Sequence, residues 1–191
     1  IGGLKDDLPK GWIEETRGAL ERMKSFCDEM EELVLGNEIF QARTRNIGVI
    51  PGDVALSYGL SGANLRASGV DWDIRRDANV GLVYDQVDWK VWTHPDGDSF
   101  ARFWVRLQET REACNIIDQL LGSIPSGPIM AKVPRIIKVP AGEAYVATEN
   151  PLGEMGYYVV SKGDLTPFRV KIRSASFSNM SITPWVLKDV F

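Results

Sequence analysis

Between Ile13 and Val34, apolar or near-apolar side chains recur at Ile13, Thr16, Leu20, Met23, Cys27, Met30 and Val34, in alternating steps of three and four. Side chains at that spacing share one face of an α-helix, and a stripe this long has to be covered by a partner packed at a shallow angle. The opposite side carries Glu14, Glu15, Glu21, Arg22, Glu29 and Glu32. The acidic run therefore reads as a solvated face and not as a set of metal ligands. Gly36–Asn37 is the expected stop, with Gly36 in the left-handed conformation.

A second stripe supplies the partner. Behind Asp98, a good N-cap, Phe100, Phe103, Trp104, Leu107, Cys114, Ile117 and Leu121 fall on one face, and Gly122 ends the pattern. Each large side chain buried there contributes about 1.5–3 kcal/mol, so the two stripes read as the spine of a core. An aromatic stripe of this kind is packing before it is a cofactor box. Cys27 and Cys114 each lie on an apolar face, which predicts reduced, buried thiols and not a disulfide.

Between the stripes the reading is less regular. A helix is expected over about Glu38 to Arg45, "NIGVI" as a short extended piece, and "GDVALSYG" as a brief helix closed by Gly59. "GLSGANLRASGVDWDIRR" (Gly59–Arg76) is turn chemistry throughout, "LVYDQVDWKVW" is rich enough in β-branched and aromatic residues to be extended, and "THPDGD" is a turn. From Ile124, "IPSGPIMAKVPRIIKVPAGE" holds four prolines and reads as an extended connector. "EAYVATE", "EMGYYVVS" and "FRVKIRS" then form an antiparallel meander. The expected class is α+β: a long-helix bundle followed by a small antiparallel β-sheet. Residues 1–123 form the mainly helical region, 124–140 the connector, and 141–191 the meander with the start of a C-terminal helix.

At 191 residues, 44% hydrophobic and 25% charged, the chain has the profile of a globular protein with a core. A net charge of −4 gives no basic field for nucleic acid or an anionic membrane, and no apolar run approaches the roughly 18–20 residues of a membrane span. Any membrane association would come through partners. The chain begins without methionine or signal peptide and stops inside an apolar segment, so it reads as a piece of a longer one.

Enzyme signatures are sparse. His94, the one histidine, precedes Pro95 in an apparent surface turn with no nucleophile motif around it. Cys-x-x-Cys, His-x-x-x-His, Walker and GxGxxG patterns do not occur. No catalytic or metal-ligating residue is assigned. Gly59–Arg76 remains: its glycines allow close approaches, and Arg66, Arg75 and Arg76 alternate with Asp71, Asp73 and Asp77. A structural lock built on Gly62, Arg66, Gly69, Trp72, Asp73 and Arg75 is the leading reading. A partner-binding surface and a ligand site are the alternatives, the last weakened because the acids cancel an anion cradle's field.

These same residues carry a family resemblance. "LSGANLRASGVDWDIRR" resembles the SG-x-x-LR-x-SG-x-x-WD-x-R signature of the hydrogenase-like large subunit of respiratory complex I, the D-type subunit of NADH–quinone oxidoreductases. "GGLKDDLP", "RTRNIGVIPGDVALSYGLSG", "VYDQVDW", "GDSFARFWVRLQETREACNII" and "ATENPLGEMGYYVVSKGDLTPFRVKIRSASFSN" match further blocks of that family, in order along the chain.

The resemblance implies a fold similar to the large subunit of [NiFe] hydrogenases, without their metal-binding cysteines. It implies a place in the quinone-reducing module, beside the iron–sulfur (B-type) and C-type subunits of the complex. There electrons pass from NADH through a terminal [4Fe–4S] cluster to quinone, coupled to proton translocation. On that reading the chain binds no cofactor directly; quinone and the partner's cluster lie adjacent. The headgroup tyrosine and histidine of the family belong to a region that would precede Ile1, and its last helix would follow Phe191, so this piece alone is expected to be inactive. Asn179 and Met180 are the nearest candidates for the quinone cavity. In a bacterium or archaeon the protein would sit on the cytoplasmic face of the cell membrane, in the peripheral arm. The same chain fits a complex fed by reduced F420 or ferredoxin, and a free-standing interaction module is the reading from another class.

Overall fold

The computed structural model describes residues 2–78, 81–134 and 136–188. Its longest elements are the two striped helices. α1 spans Trp12–Met30 and runs on through a widened π turn at Glu31–Leu35. Four short helices follow: α2 (Glu38–Thr44), α3 (Gly52–Ser57), α4 (Ala63–Arg66) and α5 (Ile74–Asp77). α6 spans Ser99–Leu121 and opens on Asp98, whose Oδ1 accepts from the Ala101 N–H at 2.7 Å.

The two stripes meet as expected, in antiparallel fashion. Leu20 packs with Cys114 and Leu121, while Cys27 and Leu35 pack with Phe100 and Leu107. Ion pairs flank the contact, Arg111 with Asp28 at 2.8 Å and Arg17 with Asp118 at 3.7 Å. Cys27 and Cys114 are free and buried, and burial pushes both thiols above their ordinary pKa.

Three local readings of these helices need correction. The π turn slips the stripe, so Leu35 is buried and Val34 only partly so. Gly36 is right-handed, φ −73°, and not left-handed. Its N–H reaches back to the Glu31 carbonyl at 3.0 Å, and a Cβ there would sit 2.5 Å from the Glu32 carbonyl oxygen. Asn37 then caps α2, its Oδ1 accepting from Ile39 and Phe40. On α6, Ile117 is 40% exposed, because the helix is covered on a second side instead: Ala101 and Val105 pack on Ala67 beside α4.

The intervening segments also differ from a sequence reading. "NIGVI" is a turn, with Asn46 and Gly48 at positive φ. "LVYDQVDWKVW" contains a 3-10 turn at Val83–Gln86 and otherwise irregular chain. Its aromatics pack as single side chains and do not alternate across a pleat. Gly59–Arg76, read as turns throughout, contains α4 and the start of α5. His94 is half-buried and not a free surface side chain: its ring lies edge-on to Trp104 and Phe100, with centroids 5.3 and 6.3 Å away.

No helix or strand is assigned between α6 and the sheet among the described residues, apart from an isolated bridge between Met130 and Gly3. The sheet itself is three-stranded and antiparallel in the order β1 (Gly142–Asn150), β2 (Gly153–Ser161), β3 (Arg169–Arg173). Its register pairs Gly142 with Ser161, Asn150 with Gly153, and Gly156 with Arg173. The α+β class expected from the sequence is thus borne out. Alternation puts Val146, Tyr157 and Ile172 side by side on one face, with Val170 next to them, and this face is open to solvent. α7 (Ala175–Met180) and α8 (Thr183–Val186) end the described chain as two short helices where one was expected. Ile182 between them is buried in a cluster with Ile50, Ala55, Leu60 and Leu65, against which Trp72 packs.

No described helix is long and apolar enough to cross a membrane.

Candidate functional site

The β1–β2 hairpin docks on Gly59–Arg76 through backbone contacts that only small residues permit. Gly62 has φ +67°, and a Cβ on it would lie 2.7 Å from the Leu152 carbonyl oxygen. Across the contact, a Cβ on Gly153 would lie 2.4 Å from Ser61 Oγ. That hydroxyl instead accepts from the Glu154 N–H at 3.0 Å. Arg173 clamps the same junction from β3, donating to the carbonyls of Glu154 and Gly59 at 2.8 and 2.9 Å.

Behind this contact lies a charged knot. Asp73, 1% exposed, caps α5 by accepting from the Arg75 N–H at 3.0 Å. Its two oxygens also receive the Arg75 guanidinium as a fork, at 2.9 and 2.7 Å. Arg66, itself buried, adds a third contact to Asp73 at 3.0 Å and pairs with Glu109 of α6 at 2.6 Å. Burial alone would raise the Asp73 carboxyl, but the Arg75 hydrogen bonds and the Arg66 and Arg75 charges outweigh it and hold it below the usual carboxylate range. The outer face of Arg75 is covered by Trp89 and Tyr84, whose ring centroids lie 4.7 and 5.6 Å from its guanidinium carbon. Tyr84 in turn donates to Glu149 of β1 at 3.2 Å, and burial together with that carboxylate raises its phenol.

These parts enclose a cleft of about 900 Å³ between the knot, the hairpin turn, α6 and α7. Gly62, Arg66, Trp72, Asp73 and Arg75 all line it, and so do Asn179 and Met180 from the other end of the sequence. Gly69 does not; it takes φ +80° beside Pro95. Asn179 is a bridge: its Oδ1 accepts from the Ser61 N–H at 3.1 Å and its Nδ2 donates to the Leu152 carbonyl at 2.9 Å. Met180 is 65% exposed at the rim. Among the described residues no group of three or more His, Cys, Asp or Glu side chains converges where a metal ion could sit.

Several participants escape a sequence reading. Glu109 stands 43 residues from Arg66 and offers no sequence cue beyond lying on the side of α6 away from α1. Arg173 and Gly153 read as ordinary strand and turn residues. Tyr84 and Trp89 carry a signal, aromatic rings with polar tips next to an arginine-rich loop, which the β-like composition conceals. Chemically the knot is nearly neutral, with its donors and acceptors matched inside the protein. It is built to hold the shape of a cleft, whose own walls mix Trp72, Leu152 and Met180 with hydrogen-bonding groups.

Comparison with known proteins agrees with the sequence signature. The family model for the respiratory-chain NADH dehydrogenase, 49 Kd subunit, matches residues 1–138 and 132–191. The chain is 46% identical over 185 residues to the D-type subunit, numbered 1, of the NADH-quinone oxidoreductase of Streptomyces coelicolor, covering 94% of this chain and 48% of that protein. The D-type subunit of Bacillus cytotoxicus is 46% identical over 189 residues, covering 98% of this chain and 51% of its own length. For its counterpart in Clostridium beijerinckii the identity is 46% over 184 residues, covering 96% and 50%. The chain spans about half the length of these curated relatives. With a family model covering it end to end and relatives agreeing on one subunit, this chain belongs to the 49 Kd subunit family of respiratory-chain NADH dehydrogenases.

Proposed function

We propose that the chain serves as scaffold in the quinone-reducing module of an NADH–quinone oxidoreductase, as part of its D-type subunit. It stands beside the iron–sulfur (B-type) and C-type subunits, and its fold is that of a hydrogenase-like large subunit. In that role it carries no redox group of its own. It shapes one side of the quinone cavity while electrons pass from NADH, through the partner's [4Fe–4S] cluster, to quinone, with proton translocation following in the complex. The whole sits in the peripheral arm on the cytoplasmic face of a bacterial or archaeal membrane. The observation that carries this reading is the coincidence of two facts. The family's signature loop forms the charged knot, and the knot, Asn179 and Met180 wall a single cleft.

The residues then divide by role. Asp73, Arg66 and Arg75 fix the loop, Gly62 and Gly69 give it its backbone path, and Trp72 anchors it to the core around Ile50 and Leu65. Asn179 and Met180 form the edge nearest the quinone.

Two variants of the full-length protein, studied in the assembled complex, test the division. Arg75→Ala is expected to lower thermal stability and assembly while leaving the KM for quinone unchanged in what assembles. Met180→Ala is expected to leave assembly normal and shift the quinone KM severalfold. A normal stability with altered KM for Arg75→Ala would overturn the scaffold role, and an unmoved KM for Met180→Ala would remove that residue from the cavity.

A further inference from the structure

Most arginines of this chain either meet a carboxylate or stand in water. Arg17, Arg66, Arg75, Arg76, Arg111 and Arg173 each have an acidic oxygen within ion-pair range. Arg22, Arg43, Arg45 and Arg169 are exposed. Arg102 fits neither description, and Arg106 beside it is exposed yet meets no carboxylate within ion-pair range. They sit one turn apart on α6, on the same side of the helix, and among the described residues no ion pair forms at either.

Their hydrogen bonds go to neutral acceptors. Arg102 donates to the Gly97 carbonyl at 2.7 Å and to Ser99 Oγ at 2.9 Å. Arg106 donates to the Arg102 carbonyl at 2.9 Å and to Asn64 Oδ1 at 2.6 Å. The two carboxylates that face them are already engaged. Asp98 accepts from the Ala101 and Asn46 N–H groups, and Glu109 accepts from Arg66. Arg102 is half-buried, while Arg106 is exposed. Burial lowers both guanidinium pKa values, and for Arg102 the neighbouring Arg106 charge lowers it further. Two like charges are therefore held together, and the Asp98 and Glu109 carboxylates, engaged elsewhere, offset the burial only in part.

A guanidinium has five N–H donors in a rigid fork, so both groups keep donors for an incoming acceptor. Of the two, Arg106 lines the cleft and Arg102 does not. Arg106 and Asn64 line the cleft together with the exposed Met180. Arg102 instead approaches Gly48, where a Cβ would be 3.1 Å from its Nη2 and 3.0 Å from Val186 Cγ1.

We propose that Arg102 and Arg106 together grip a carboxylate from a neighbouring polypeptide, an aspartate or glutamate whose own chain rests against the apolar rim at Met180. A free inorganic anion would satisfy the charges but leave that rim uncovered. The inference rests on the reading that the chain works inside a multi-subunit complex. The bound carboxylate would accept from both forks and neutralise the pair at the moment of docking.

The test uses the full-length protein in its oxidoreductase, comparing wild type with Arg102→Gln/Arg106→Gln and with Arg22→Gln as an exposed-charge control. The double variant should dissociate from the complex at lower salt, with an apparent affinity weaker by on the order of tenfold or more. Its own melting temperature outside the complex should be unchanged or higher, because a like-charge contact is relieved. Unchanged assembly in the double variant would overturn the proposal, and so would an equal loss in the control. A drop in the free protein's melting temperature large enough to account for the lost assembly would reduce the pair to an internal prop, which also overturns it. Inorganic phosphate serves as the competing probe. If phosphate stabilises the wild-type protein, fails to stabilise the double variant, and assembly is normal in both, the ligand is a free anion and not a partner's carboxylate. Failure of the wild type to enter any complex would instead sink the multi-subunit reading itself.

Discussion

The α1–α6 pair and the hairpin–loop junction are held together by different physics. Along α1–α6, Leu20, Cys27, Leu107, Cys114 and Leu121 exclude water in two apolar clusters, and the charges at Arg17 and Arg111 stay at their edges. At the junction a carboxylate that is 1% exposed sits between two arginines, and the backbones touch at paired glycines. Apolar packing is forgiving of direction; a bidentate pair and a glycine contact are not. The helical pair therefore supplies bulk stability. The junction supplies one particular shape, which is what the wall of a cleft requires.

Substitutions can break or sharpen that contrast. The largest effect is expected from Asp73→Asn, which leaves buried Arg66 and half-buried Arg75 with their shared counter-charge gone; removing one partner of such a pair costs about 3–5 kcal/mol. The same residue predicts a pH dependence. Its folded pKa is depressed, so its contribution is complete above the unfolded value of about 4 and is lost as pH falls through the lower folded value. Denaturant titrations from about pH 6 down to about pH 2 should show that acid limb in the wild type and a flatter one in Asp73→Asn.

Leu107→Ala should follow, at about 2–5 kcal/mol by lost burial and a residual cavity. Its effect should not vary with salt, and a clear salt dependence would erase the distinction between the two regions. Gly62→Ala forces a side chain into the Leu152 carbonyl at positive φ and should cost about 1–3 kcal/mol. Hydrogen exchange should place that loss at the hairpin amides around Glu154, with α1 and α6 unaffected. The smallest effect belongs to Arg76→Gln. Arg76 pairs with Asp71 and Asp77 in the same loop, yet it is exposed, and such pairs contribute about 0–1 kcal/mol. A loss comparable to that of Asp73→Asn would mean that the knot extends to the surface.

The contrast also explains how far the sequence can be read. Periodicity is a local signal, so Leu20, Cys27 and Leu107 announce their helices and their shared core without any knowledge of the fold. The strands are legible for the same reason, through Pro and Gly punctuation around alternating residues. Long-range pairing is not local. Arg66 has three nearby aspartates in sequence; it uses Asp73, and its other partner, Glu109, lies on a different element. Gly62 and Gly153 are ordinary glycines until the hairpin and the loop are seen to touch. Tyr84 and Trp89 look like strand residues because composition records ring size and branching, not the cation a ring will cover. The signature loop itself is visible in the sequence; what it grips is not.

The π turn at the end of α1 has a consequence for how chains of this kind change length. An α-helix advances by ~100° per residue, so one extra residue would normally rotate everything beyond it off the core. At Glu31–Leu35 the chain instead widens one turn, closes it with the Gly36-to-Glu31 hydrogen bond, and delivers Leu35 to Phe100 in register. This is a point in the helix where a single-residue insertion or deletion is absorbed on the spot. Alignments of relatives that differ by one residue along this helix should place the gap here, and a Glu32 deletion should restore plain α geometry while leaving the packing of α2 where it is.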